Sequence, residues 1–343
     1  MSKALSIKDV NISNIVIDMA ESLNIAYEKK ENQYALTIPK TMGSGYVKCY
    51  VFDNGIGVVE AEYLLKKELI INIEPGTVHP LKIIFNKQHP IYHKFESKNE
   101  ATKVDEFESL MVASTPNDNH TFTIPPKHPV HIISLEINRK LFEEKIESFI
   151  PNMNDILLEL FRDVNGVNPF FYKNFYSLAT SELIVEFTDS DLQGFMKSVF
   201  LEGKAYEILV AHLQQYIDDL NTPEKRKILR KATIEKLKKA VKIIETEIDL
   251  IDSINKLAKR VGLNQNTLQE GFKHLYKSSV KEYIKNYRLE KGKELLESSD
   301  LNITEICYKI GISSRSYFSK TFKERYGLTP KIYQHRARKT KSA

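Results

Sequence analysis

Two short stretches near the C-terminus carry polar side chains at helical spacing that could form paired hydrogen bonds with the edges of nucleobases. Amide and carboxylate side chains can bond to adenine or cytosine, arginine can bond to guanine, and lysine can contact phosphates. The alternative for both stretches is an ordinary solvated helix face. The candidate contacts are Asn264, Asn266, Gln269, Glu270 and Lys273 in the first stretch and Ser314, Arg315, Ser316, Ser319, Lys320 and Lys323 in the second.

Histidines are the second group with possible chemistry. The pairs His89/His93 and His128/His131 are spaced so that each could ligate a metal ion on a β-barrel. Each pair encloses a proline and no complete metal motif surrounds them, so we expect no metal, no cofactor and no catalytic residue. The six histidines of the N-terminal part are His79, His89, His93, His120, His128 and His131.

The elements that must position the first polar stretch are a short helix, a glycine turn and a longer helix. Ser253 can cap a helix over Ile254–Val261, and Gly262 can end it in a left-handed conformation. The longer helix follows from about 264 to 276, with Leu268 and Phe272 inward. An earlier helix starting at Thr233 has an apolar face formed by Leu237, Val241, Ile244 and Ile248.

The same pattern repeats once. Gly311 is the second turn, and Ser313 can cap a second helix near 313–326. Between the two units, Val280–Glu297 has the pattern of one helix about 27 Å long, and successive major-groove faces of DNA lie about 34 Å apart. Such a connector would hold two recognition helices in adjacent major-groove segments. The expected core of the second helix-turn-helix unit is Ile303, Ile306, Ile310, Ile312, Tyr317, Phe318 and Phe322.

Charge is distributed unevenly along the chain. Residues 222–343 contain 29 basic and 14 acidic residues, a net charge of +15, whereas residues 1–221 contain 21 basic and 31 acidic residues, a net charge of −10. This asymmetry indicates a polyanionic partner for the C-terminal part. The two cysteines, Cys49 and Cys307, are too few for a disulfide framework, and we expect buried thiols in a cytoplasmic protein.

The part before residue 139 has the alternation of a β-rich domain, and helical patterning begins after Asn138, a candidate N-cap. From there to Leu220 the chain is predicted to be mainly helical, with a stripe that includes Ile208, His212 and Tyr216 more typical of core than of an interface. We expect three parts, 1–138, 139–221 and 222–343. The predicted strands are Tyr34–Ile38, Tyr46–Phe52, Val58–Leu65, Leu69–Ile73, Leu81–Phe85, Phe107–Val112, Thr121–Ile124 and Val130–Ile137.

Residues 253–334 resemble the DNA-binding domain of the AraC family, and the most specific motifs lie in the second unit. This sequence departs from the family pattern at Lys277, where glycine is usual, at Gly292 and Cys307, where alanine is usual, and at Gln334 and Glu270, where arginine occurs. The matching motifs are Ile303-x-Glu305-Ile306, Gly311-Ile312, Ser316-Tyr317-Phe318-Ser319-Lys320-x-Phe322-Lys323 and Gly327-x-Thr329-Pro330-x-x-Tyr333.

The resemblance implies a multidomain α and β protein: an N-terminal β-rich, cupin-like barrel with following helices and a C-terminal all-α double helix-turn-helix domain. It also implies a transcription regulator, with activation as the expected role, that binds double-stranded DNA and acts as a homodimer. A small-molecule effector and RNA polymerase are further expected partners, and a membrane is not. Three alternatives are considered: a metal-dependent cupin enzyme with a DNA-binding tail, a DNA-repair protein, which two cysteines exclude, and a non-specific architectural protein.

Overall fold

The computed structural model describes residues 3–9, 11–75, 80–221 and 223–341. The chain forms two compact units, residues 1–230 and 231–343. His79 and Thr222, which were used in the sequence analysis, lie outside the described residues. No helix in the described part of the chain is both long enough and apolar enough to cross a membrane.

The first unit contains two β-sheets. The five-stranded sheet has the order β1-β6-β11-β8-β9, and the eight-stranded sheet has the order β13-β10-β7-β12-β5-β4-β3-β2. All neighbouring strands are antiparallel except β1 and β6. The strands are β1 (Lys3–Asp9), β2 (Glu28–Lys30), β3 (Gln33–Thr37), β4 (Gly43–Val51), β5 (Ile56–Leu65), β6 (Leu69–Pro75), β7 (Leu81–Asn86), β8 (Ile91–Phe95), β9 (Thr102–Val104), β10 (Glu108–Ala113), β11 (His120–Ile124), β12 (Pro129–Ile137) and β13 (Phe170–Phe175).

One hydrophobic core lies between the two sheets. Alternate residues of each strand point into it, for example Val59 and Ala61 of β5 and Ile71 and Ile73 of β6. This period of two follows from the pleat of a strand, which sends successive side chains to opposite faces. The first unit is therefore the β-rich, cupin-like domain that the sequence predicts.

All eight predicted strands are present, with ends that coincide or are displaced by up to three residues. Strands β1, β2, β8, β9 and β13 were not predicted. The expectation that residues 139–220 are mainly helical is wrong at β13, which pairs with β10 from Phe170↔Ala113 to Phe175↔Glu108. The aromatic-rich segment Phe170–Phe175 has high strand propensity, and a ready edge at β10 allows it to extend the sheet.

Helix α1 (Asn14–Leu23) contributes Val16, Met19, Ala20 and Leu23 to the core between the sheets, and the later helices of the first unit follow β12. The predicted N-cap is confirmed, because the Asn138 side chain accepts a hydrogen bond from Leu141 N at 3.2 Å. The predicted stripe of the last helix is also buried, and its His212 ring lies 5.0 Å from the Phe85 ring. The helices are α1 (Asn14–Leu23), α2 (Arg139–Ile146), α3 (Asp155–Arg162), α4 (Leu178–Thr188) and α5 (Gly194–Asn221).

The second unit is entirely helical among its described residues. The predicted helix Ile254–Val261 is confirmed, with Ser253 as its N-cap and Gly262 in the left-handed conformation that ends it. The helix predicted to start at Thr233 begins ten residues earlier, at Pro223, so its first eight residues belong to the first unit and the rest to the second. The helices are α6 (Pro223–Thr246), α7 (Ile254–Val261), α8 (Gln265–Tyr276), α9 (Val280–Ser298), α10 (Ile303–Lys309), α11 (Arg315–Tyr326) and α12 (Pro330–Lys341).

Gly311, the turn between α10 and α11, is required for two reasons. Its φ is +67°, a conformation that costs an L-amino acid side chain about 1–2 kcal/mol. A Cβ at this position would also lie 2.8 Å from the carbonyl oxygen of Ile248 and 2.9 Å from Asp249 Cα. The turn therefore packs directly on the backbone of the loop that precedes α7.

We expect Gly311→Ala to lower the free energy of unfolding of the second unit by about 2–4 kcal/mol, the sum of backbone strain and overpacking. Gly327→Ala is the matched control, because Gly327 has a φ of +76° but no atom within 4 Å of a Cβ. It should cost only the conformational part. Urea unfolding measures the free energy of unfolding of the two variants, and hydrogen exchange of the α10 and α11 amides locates the change. Equal losses of stability in the two variants would show that packing at Gly311 is unimportant.

Candidate nucleic-acid interface

Helix α8 presents one exposed polar face. Asn266, Glu270 and Lys273 are all exposed and are separated by four and three residues, so they lie on the same side of the helix. Leu268 and Phe272 lie fully buried on the opposite side, as predicted. The face is thus available to a ligand that approaches along the helix.

Asn264 and Gln269 have structural contacts that the sequence analysis did not anticipate. Asn264 is the N-cap of α8, and its Oδ1 accepts a hydrogen bond from Thr267 N at 2.8 Å. Gln269 is half-buried, and its Oε1 accepts a hydrogen bond from Val280 N at 3.2 Å. The Gln269 oxygen thus secures the start of α9, and this contact limits how the side chain can be oriented toward a base.

Helix α11 presents the second exposed polar face. Arg315, Ser316, Lys320 and Lys323 are exposed, and Ser319 is half-buried. The predicted cap is displaced by one residue, because the Oγ that accepts a hydrogen bond from Tyr317 N at 3.2 Å belongs to Ser314 and not to Ser313. Burial raises the pKa of the Cys307 thiol, and the positive charge of Arg315 opposes part of that shift.

Tyr317 was expected in the core, and this prediction is wrong. Its side chain is 47% exposed, whereas Phe318 and Phe322 are fully buried. The core side of α11 is formed by residues 318, 321 and 322, and residue 317 lies at the edge of that face, one helical position earlier. Tyr317 instead lines a cleft.

This cleft, of about 380 Å³, lies between the two helix-turn-helix units. One wall of the cleft is formed by α9, with the basic side chains Lys281, Lys285 and Arg288 at helical spacing. The first helix-turn-helix unit contributes Ser253, the N-cap of α7. The sequence analysis treated α9 only as a connector and missed this basic face. Its signal was the spacing of four and three residues between the three cations.

Contacts from α9 fix both helix-turn-helix units. The Arg288 guanidinium donates hydrogen bonds to the carbonyl oxygens of Ile248 and Ile251, at 3.2 and 3.1 Å, in the loop before α7. At the other unit, Arg325 at the end of α11 donates to Asn286 at 2.8 Å and to Glu290 at 3.0 Å. The connector is thus held by polar contacts on both sides.

Three of the departures from the family pattern have a structural account. Lys277 ends α8 in the left-handed conformation, with φ +51°, where glycine would carry no strain. Gly292 allows the Phe318 ring to approach within 3.0 Å of the position of a Cβ. Gln334 donates from Nε2 to the Leu301 carbonyl oxygen at 2.8 Å, tying α12 to the loop before α10.

The histidines of the first unit pair differently from the sequence expectation. His93 Nε2 lies 3.0 Å from His120 Nδ1, and His89 stacks on His128 with ring centroids 3.9 Å apart. His131 instead lies 3.5 Å from Glu60. Within the described residues, no group of three or more histidine, cysteine, aspartate or glutamate side chains could hold a metal ion.

His93 lines an open cavity of about 590 Å³, and His120, which is buried and contacts His93, is not among the residues that line it. Burial lowers the pKa of His93 to about 4 and that of His120 well below its ordinary value, so both imidazoles are neutral at physiological pH. Phe95, Phe171, Lys94 and Lys98 share the cavity wall with His93. The arrangement offers apolar, basic and neutral hydrogen-bonding groups to a small molecule.

Comparisons with known proteins bear on the second unit. A family model described as a helix-turn-helix domain matches residues 257–336. The chain is 28% identical over 151 residues to the Msm operon regulatory protein of Streptococcus mutans, an alignment that covers 44% of this chain and 52% of that protein. It is 33% identical over 81 residues to the xylose operon regulatory protein of Escherichia coli K12, which covers 24% of this chain and 21% of that protein.

The chain is also similar to a solved structure of a transcriptional regulator from Chromobacterium violaceum, which is described as having an AraC-type DNA-binding domain. The sequence identity is 27%, the TM-score is 0.29, and the alignment covers 30% of this chain and 92% of the solved one. The chain spans about half the length of the Streptococcus relative. The family match begins within α7 and ends within α12, so it includes both exposed polar faces. The second unit of this chain is an AraC-type helix-turn-helix domain.

Proposed function

We propose that this protein is a sequence-specific transcription regulator that reads two adjacent major-groove segments of double-stranded DNA with α8 and α11. One observation supports this most directly: each of two helix-turn-helix units carries an exposed polar face on its second helix. Both faces contain side chains of types that can bond to base edges, including Asn266 on α8 and Arg315 on α11. Such faces are typical of recognition helices.

The length of α9 supports reading of adjacent groove segments. Its 19 residues span about 28 Å, close to the roughly 34 Å between successive major-groove faces. The basic residues of the cleft would lie between the two reading helices, where the DNA backbone must pass. Lys281 and Lys285 would contact phosphates there, which positions the protein without specifying sequence.

The first unit supplies regulation in this proposal. A small-molecule effector would bind the cavity beside His93, where Lys94 and Lys98 favour an anionic group and Phe95 and Phe171 favour an apolar one. It would act by binding better to one arrangement of the chain than to another. The protein would work as a homodimer in the cytoplasm and contact RNA polymerase when it activates transcription.

DNA binding should depend steeply on salt. The net charge of +15 in residues 222–343 implies several phosphate contacts, and about six contacts would lower affinity about a thousandfold between 50 and 200 mM salt. Fluorescence anisotropy with labelled promoter DNA measures this for the full chain and for residues 222–343. Salt-independent binding, or binding by residues 1–221 alone, would contradict the proposal.

Arg315→Ala should weaken binding to the preferred site by about 1–3 kcal/mol and leave binding to random DNA almost unchanged, because a bidentate contact with guanine carries sequence information. Lys323→Ala is the matched control, since a phosphate contact should weaken both DNAs alike. Affinities of the two variants for both DNAs test the idea. Equal losses for Arg315→Ala on both would make Arg315 a phosphate contact and favour the non-specific architectural alternative.

Glu270→Ala should tighten binding to every DNA sequence, because the exposed Glu270 carboxylate is repelled by nearby phosphates. The alternative is that Glu270 accepts a hydrogen bond from cytosine N4 and selects one base. Selection of sites from random DNA by wild type and variant distinguishes the two, and a base preference lost in the variant would refute repulsion. Glu143→Ala, an equal change in charge at an exposed site of the first unit, controls for net charge.

A further inference from the structure

The cleft between the two helix-turn-helix units combines two kinds of lining. Lys281 and Lys285 contribute exposed basic side chains, whereas Ile251, Ile254 and Ile312 contribute apolar surface. The volume of about 380 Å³ lies within the roughly 300–1,000 Å³ that is typical of small-molecule sites. A DNA phosphate needs no apolar surface, so contact with the DNA backbone does not account for the isoleucines.

The positive charge of the cleft is not neutralised by the chain itself. Among the described residues, neither Lys281 nor Lys285 has a carboxylate partner. Asp252 is the one carboxylate among the described lining residues, and it is already paired with Lys256 at 2.7 Å. The cleft therefore has an excess of positive charge, which favours an anionic ligand.

The walls of the cleft are held in place without a ligand. The Arg288 guanidinium donates to the carbonyl oxygens of Ile248 and Ile251, which joins α9 to the loop before α7. On α11, Thr321 Oγ1 donates to the Tyr317 carbonyl oxygen at 2.8 Å. A cavity whose lining is already fixed loses little conformational entropy when a ligand binds.

We infer that this cleft binds a small molecule with one carboxylate and an apolar body, and that this ligand and DNA exclude each other. The carboxylate lies between Lys281 and Lys285, which are four residues apart on one face of α9. The apolar body lies against Ile254 and Ile312. It also covers the Tyr317 ring, which lines the cleft although its side chain is 47% exposed.

The inference rests on the proposed function in one respect, because DNA is the competitor. The phosphate contacts proposed for Lys281 and Lys285 use the same two ammonium groups, which cannot compensate two anions at full strength. A bound carboxylate would therefore lower the affinity for DNA directly, within the second unit. Binding of the small molecule itself requires no DNA and is measured separately.

Cinnamate is a suitable probe, because it joins one carboxylate to an apolar body, and cinnamamide is the matched compound without the charge. Isothermal titration calorimetry of the full chain without DNA should show saturable binding of cinnamate. Cinnamamide should bind about tenfold more weakly, because it forms no ion pair with the two lysines. Equal affinities for the two compounds in the wild-type chain would overturn the anionic site, whatever the variants do.

Two variants locate the site. Lys285→Gln should raise the dissociation constant of cinnamate about fivefold, since one ion pair at an exposed rim is lost. Its control is Lys309→Gln, at an exposed lysine of α10 that is not among the lining residues. Ile254→Ser should weaken binding by a similar factor through lost apolar contact. Its control is Leu250→Ser, at a leucine that is 63% exposed and does not line the cleft.

Competition is measured by adding cinnamate to the full chain bound to labelled DNA. At about ten times its own dissociation constant, cinnamate should raise the dissociation constant for DNA about tenfold by mass action. Cinnamamide at the same concentration should have a much smaller effect. Cinnamate that binds the chain and leaves the affinity for DNA unchanged would overturn the competition.

The remaining outcomes separate this inference from the proposed function. A wild-type chain that binds cinnamate but no DNA would refute the proposed function and support the cleft site. A wild-type chain that binds DNA but no cinnamate would overturn the cleft site alone. Binding that is lost in Lys98→Gln and kept in Lys285→Gln would also overturn it, because Lys98 lines the cavity beside His93.

Discussion

The second unit depends on α9, a single helix that belongs to both helix-turn-helix units. Arg288 donates hydrogen bonds to two carbonyl oxygens in the loop before α7, in the first helix-turn-helix unit. Leu289 and Leu296 lie in the core of the second helix-turn-helix unit. A helix of 19 residues with both ends packed does not bend easily, because bending would break hydrogen bonds or open a core. The spacing of α8 and α11 is therefore set by one rigid element, and neither recognition helix can adjust alone.

Close contact between α9 and α11 explains why Gly292 stands where alanine is usual. The Phe318 ring occupies the space that an alanine methyl group would need, and Ile310 closes the site from the other side. An alanine would favour the helix by about 1 kcal/mol but would require the ring to move by a few tenths of an ångström. The aromatic core beneath α11, which includes Phe322, thus favours glycine at position 292 of α9.

Local chemistry decided what could be predicted from the sequence. Ser253 and Gly262 bound α7 at both ends, and such caps act within a few residues, so the sequence identified that helix and its turn correctly. Strand β13 required pairing with β10, about sixty residues earlier, and no local pattern reveals such a pairing. The same limit applies to the site at Gln269, whose side chain is tied to α9 by a tertiary contact with Val280 N that its own helix does not reveal.

The interior of the first unit contains buried charged and histidine side chains. Lys82 and Glu136 form an ion pair of 2.6 Å with both side chains almost fully buried, and replacement of such pairs by apolar residues is often neutral or stabilising. His93 and His120 are buried as well, and His120 Nε2 has no hydrogen-bond partner among the described residues. Buried polar groups reduce stability unless they are satisfied, so the paired Lys82 and Glu136 side chains cost less than the orphaned nitrogen of His120. In the proposed regulation, an effector that bound one arrangement of these groups better than another would stabilise that arrangement, which is the differential affinity that regulation requires.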